Sequence, residues 1–122
     1  MNDGCQFRFQ NLEIWKNAAA ISPHLFELGN DLEARKLFRF AEQLRAATLS
    51  ITNNIAEGSG STSDVDFANF LNMARRSVFE VANILLILSN HKFLDRVRVL
   101  PLLDLLEEES RMILAFLRKL RG

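Results

Sequence analysis

Apolar residues recur along this chain at alternating three- and four-residue steps in four long stretches, the period of a helix that turns one face to a core. The first stretch reads Ile14, Ala18, Ile21, Leu25, Leu28, and the second Leu37, Ala41, Leu44, Thr48, Ile51, Ile55. The third reads Phe67, Leu71, Ala74, Val78, Val81, Leu85, Leu88. The fourth reads Val99, Leu103, Leu106, Ser110, Ile113, Leu117, Leu120. No stretch alternates with period two for long enough to make a sheet. The pattern predicts an all-α chain with helices over about 12–28, 33–57, 64–89 and 96–120.

Sparse punctuation separates the stretches. Gly29-Asn30-Asp31 is expected to close the first helix, Gly58-Ser59-Gly60-Ser61-Thr62 the second and Ser89-Asn90-His91-Lys92 the third. Ser63-Asp64-Val65-Asp66 has the form of a capping box, and Gly58 suits a left-handed residue ending a helix. Pro23 and Pro101 fall inside periodic stretches, where a kink or a broken first turn is expected. Connections this short make successive helices antiparallel neighbours. The expected architecture is a single domain over residues 1–122, an antiparallel up-down four-helix bundle.

The third helix is more apolar than one bundle face requires. Between Val78 and Leu88 only Glu80 and Asn83 are polar, and Phe79, Ala82 and Leu86 lie off the main seam. A helix apolar nearly all round is buried nearly all round. Phe79, Ala82 and Leu86 are therefore candidates for an interface between copies in a homo-oligomer. Beside the apolar seam of the second helix runs a second row, Gln43, Ala47, Ser50, Asn54, Glu57. With Glu80 and Asn83 of the third helix, it is expected to form a structural network that fixes register, Gln43, Ser50, Asn54, Glu57, Glu80 and Asn83 supplying its polar groups.

Composition narrows the chemistry. With 122 residues, 48% hydrophobic and 25% charged, the chain is an ordinary globular domain. Its apolar run Ile84-Leu85-Leu86-Ile87-Leu88 is far too short to cross a membrane. The opening residues lack the basic and apolar regions of a signal peptide, and a lone cysteine, Cys5, fits a reducing cytoplasm. His24 and His91 are the only histidines, and neither has a glutamate three residues before it, so a ferritin-like dimetal site is excluded. The glycine-rich segment at 58–62 has no following lysine and is not a phosphate loop. Glu57 and Glu80 as an acid/base pair lack any accompanying nucleophile or metal ligand. No cofactor and no catalytic residue is expected.

Fifteen basic residues balance fifteen acidic ones. The basic residues nevertheless gather on the second and third helices at Arg35, Lys36, Arg39, Arg45, Arg75 and Arg76, which makes these the candidate contacts for nucleic-acid phosphates. Acid gathers at Asp104, Glu107, Glu108 and Glu109.

Gln43-Leu44-Arg45, Ala47, Ser50-Ile51, Asn54-Ile55-Ala56-Glu57-Gly58 and Gly60 together resemble the signature of the four-helix-bundle proteins encoded by intervening sequences in 23S ribosomal RNA genes. Relatives of that family include the accessory variability proteins of diversity-generating retroelements. The opening Phe9-Gln10-Asn11-Leu12-Glu13-Ile14-Trp15-Lys16 and the segment Phe67-Ala68-Asn69-Phe70-Leu71 with Ala74, Ser77 and Glu80 are similar to the same family. The resemblance implies a cytoplasmic, non-enzymatic bundle, commonly a homopentamer. Its partners would be copies of itself and, as in retroelement members, RNA or a reverse-transcriptase-like protein, with no membrane. Ala46 and Ser61 stand where the family often has arginine, and Arg76 where glycine is usual.

Overall fold

A computed structural model of the chain describes residues 7–122. After a 3-10 turn at Arg8–Asn11 come four helices: α1 (Glu13–Ala34), α2 (Phe38–Ser59), α3 (Asp64–Asn90) and α4 (Arg96–Arg121). No strand occurs among the described residues. Each helix packs on its chain neighbour and α4 closes against α1, giving a largely up-down four-helix bundle. The core is one continuous cluster filled from all four helices, with Leu25, Leu44, Ile55, Phe67, Leu71, Leu85, Leu106 and Ile113 among its buried members.

The helix ends show where local chemistry departs from the pattern of punctuation. Gly29-Asn30-Asp31 does not stop α1, which continues to Ala34. The stop is a backbone motif: Lys36 takes φ 63°, its N–H donates to the Glu33 carbonyl at 2.8 Å, and Leu37 N–H donates to Leu32 at 2.9 Å. The end of α3 repeats it, with Lys92 at φ 64°, Lys92 N–H on Ser89 and Phe93 N–H on Leu88. This is the closing arrangement usually built on glycine. Here lysine occupies it twice, so no glycine marks either boundary.

Gly58 is expected to be a left-handed terminator and is instead a buried residue inside α2, which runs on to Ser59. Its smallness serves packing. A Cβ there would sit 2.6 Å from the Cβ of Phe70 and 2.9 Å from Cδ1 of Phe67. Gly29 is likewise buried, leaving room for the Arg45 side chain, which would lie 3.2 Å from an added Cβ. Pro23 and Pro101 lie within α1 and α4, and both helices continue through them. Ser63 caps α3 by accepting from Asp66 N–H at 3.1 Å.

Aromatic rings finish both ends of the bundle. At one, Phe9 packs on Trp15 at 5.2 Å and Phe67 on Phe116 at 5.5 Å, with the Arg8 guanidinium 5.0 Å from the Phe67 ring centre. At the other, Phe40 meets Phe93 edge to face at 5.2 Å. Cys5 lies outside the described residues.

Candidate functional site

The outward side of α3 carries the most unusual surface. Phe79 and Leu86 are 56% and 43% exposed, and Ala82 is half-buried between them. With Val78, Leu103 and Leu106 they line an open groove of about 310 Å³ between α3 and α4, edged by Glu107 and Ser110. Met73 and Ile87 extend the exposed apolar surface of the same helix. A bundle helix ordinarily turns its polar residues to water, so this stripe has no explanation within one chain.

The polar row on α2 divides. Ser50 Oγ and Ser77 Oγ share a hydrogen bond of 2.8 Å across the α2–α3 seam, and Asn54 Nδ2 donates to the Ser50 carbonyl at 2.9 Å and to Ser50 Oγ at 3.0 Å. Small residues permit this approach: Ala47 and Ser77 are both buried. Gln43, Glu57, Glu80 and Asn83 are exposed and make no hydrogen bond to these groups among the described residues. The network within one chain is thus Ser50, Asn54 and Ser77, of which Ser77 was not foreseen. Ser50 and Ser77 stand at one height on antiparallel helices, which sets Glu57 and Glu80 about 15 Å apart along the bundle. They are too distant to act as an acid/base pair.

The six basic candidates also divide. The Arg35 guanidinium donates to the Phe93 carbonyl, and Arg45 donates to Glu33 Oε1 and Asn30 Oδ1, both at 2.7 Å. Arg75 donates to the Ser110 carbonyl at 3.3 Å and lies over the Phe79 ring at 5.0 Å. Arg45 and Arg75 join helices to one another, and Arg35 ties the end of α1 to the α3–α4 connection. Lys36, Arg39 and Arg76 are exposed and enter no ion pair among the described residues. Lys36 and Arg39 flank the α1–α2 turn, while Arg76 lies on the middle of α3 beside the α2–α3 groove. Of the six candidates, the unpaired ones therefore lie in two separate places, a turn and a helix face, and on the helix face Glu80 shares the groove with Arg76.

Among the described residues, one ionisable group is buried without a charge partner. Glu109 is 0% exposed on the α1 side of α4, where Asn17 Nδ2 donates to Oε1 at 2.9 Å and Oε2 has no hydrogen-bond partner among the described residues. Burial pushes its carboxyl up to about 7; the Asn17 bond opposes this and the neighbouring Glu108 charge adds to it. The signal was present in the sequence, because Leu102, Leu106, Glu109, Ile113 and Leu117 keep the helical step. Reading Ser110 as the seam residue concealed it, and both prove buried.

Among the described residues, no group of three or more His, Cys, Asp or Glu is placed to hold a metal ion. None of their helices is long and apolar enough to cross a membrane. A family model described as 23S rRNA-intervening sequence protein matches residues 10–115 of the chain. No curated protein matches the chain at a significant level.

Proposed function

The chain belongs to the 23S rRNA-intervening sequence protein family, and from that premise we propose a non-catalytic cytoplasmic scaffold that assembles with copies of itself and binds RNA phosphates. The observation that carries the reading is the exposed apolar side of α3 around Phe79 and Leu86, which a lone bundle leaves in water. Assembly repeats each basic site once per subunit, so a protomer of zero net charge builds a locally dense positive row. Lys36 and Arg39 are the residues most available for phosphate, with Arg35, Arg45 and Arg75 as structural support. Light scattering after gel filtration should give a mass several times 13.9 kDa, five copies being the number the resemblance favours. Retention of single-stranded RNA should weaken steeply with salt through counterion release. Reversing Lys36 and Arg39 to glutamate should weaken every RNA sequence alike and flatten the salt slope, because phosphate contacts carry no base information.

A second reading replaces RNA with a protein partner, such as a nucleic-acid-processing enzyme of the reverse-transcriptase kind. It is favoured by the internal engagement of Arg35, Arg45 and Arg75, which leaves less positive charge for phosphates than a count of arginines suggests. An intact oligomer that retains neither RNA nor DNA at low salt would establish this reading over the first.

A further inference from the structure

The exposed residues of α3 and α4 form two unlike rows. On α3, Arg76, Phe79, Asn83 and Leu86 follow one another at steps of three, four and three, so they share a line along the helix. On α4, Val97, Leu100, Asp104 and Glu108 do the same at steps of three, four and four. All eight residues are exposed. Arg76, Asp104 and Glu108 enter no ion pair among the described residues, whereas the neighbouring Arg111 is held by Glu107 at 3.2 Å and Arg75 by the Ser110 carbonyl.

The rows match end for end. The α3 row runs from a cation to an apolar residue over about 15 Å, and the α4 row from apolar residues to two carboxylates over about 16 Å. Aligned antiparallel, Arg76 meets Glu108 and Asp104 while Leu86 meets Val97 and Leu100. The two helices already run antiparallel within a chain, and the bond from Arg75 to Ser110 shows that residue 76 lies at about the height of residue 109. Rotation about an axis parallel to the bundle keeps both properties. It therefore brings α3 of one copy against α4 of the next with no sliding along the helix.

Symmetric pairing of α3 with itself fits poorly. With the helices parallel, Arg76 would face Arg76. With them antiparallel and this row opposed to itself end to end, each Arg76 would face Leu86 and lose water without gaining a counter-charge. Within these rows the charge is uneven: α3 brings one unpaired cation, Arg76, with Glu80 one turn further along the helix, and α4 brings two unpaired carboxylates, Asp104 and Glu108.

We infer that copies of this chain associate head to tail, the α3 row of one seating on the α4 row of the next, with Arg76 against the Asp104–Glu108 end. The occupant of the α3 face is a second copy of the chain, and the interface is heterologous, the type that closes into rings. This inference rests on the self-association proposed above and adds which faces meet.

Charge reversal tests it on the full chain, with mass by light scattering across a protomer titration and helix content checked by circular dichroism. Arg76→Glu and Glu108→Arg, both at exposed positions, should each preserve the helices and weaken association about tenfold or more, since each sets like charges against one another. The double variant, carrying both reversals, should recover association to within about threefold of the natural chain, because its interface again pairs opposite charges. If either single reversal leaves the assembly unchanged, or if the double variant stays as weak as the singles, the facing of these rows is wrong while self-association stands. A natural chain that stays monomeric throughout overturns self-association and this inference together.

Discussion

Replacing Glu109 with glutamine separates the charge of a buried carboxyl from its shape. The folded protein holds this group at about 7 rather than the ordinary 4.5, so between those values the folded chain keeps a proton that the unfolded chain has released. A folded-state value above the unfolded one means the contribution to stability is fully present below pH 4.5. It declines as pH rises and is lost once pH passes 7. At about 1.4 kcal/mol per pH unit, the charged carboxylate costs the folded state about 3 kcal/mol at pH 8. Glu109→Gln keeps the volume and the acceptor that Asn17 uses, and removes the charge. The variant should be more stable than the natural chain by about 3 kcal/mol at pH 8, with the gain falling below about 1 kcal/mol at pH 5. Urea melts of both proteins at one protomer concentration measure this, and taking their difference cancels the other carboxylates. A gain that is equal at pH 5 and pH 8, or absent at pH 8, would refute the reasoning. Asn17→Ala supplies a second check: losing the donor that favours the carboxylate should move the window to higher pH.

Two further substitutions test the fold. Gly58→Ala should destabilise by about 1–3 kcal/mol in a thermal or urea melt despite alanine's better helix propensity, because the new Cβ would meet Phe70 Cβ at 2.6 Å, close to the α3 backbone; a stabilised variant would contradict the close-packing account. Lys92→Gly should stabilise by about 0.5–1 kcal/mol in the same assay, because glycine takes the φ of 64° without the Cβ clash that lysine bears.

Helix period and core membership were legible because they depend on spacing alone. Every apolar residue read on the α1 seam, from Ile14 to Leu28, is buried, and so is every one on α3 from Phe67 to Leu88. Helix ends were less legible because they depend on backbone conformation that residue type only biases. Lysine at 36 and 92 takes a conformation for which glycine is the usual marker, and the glycines at 29 and 58 serve packing instead. A glycine in a sequence signals that a Cβ is absent. Whether the absence serves a turn or a neighbouring side chain is settled only when the other helix arrives, and Phe70 and Arg45 are twelve and sixteen residues away along the chain.

Charged residues are legible in the sequence only as groups, for the same physical reason. A guanidinium carries five donors and can satisfy a backbone carbonyl as well as a phosphate. Arg35 and Arg75 therefore look identical to Arg39 and Arg76 in the sequence, yet the first two hold the Phe93 and Ser110 carbonyls and the other two stay in solvent. The acidic run behaves likewise, since successive residues on a helix point about 100° apart. Glu107 pairs with Arg111, Glu108 faces out unpaired, and Glu109 turns into the core. Once the engaged groups are set aside, the free charges beside the apolar stripe include Arg76 on α3 and Asp104 and Glu108 on α4, while Lys36 and Arg39 stay free at the α1–α2 turn. If copies assemble as proposed above, these are the charges whose pairing the Arg76 and Glu108 reversals read out.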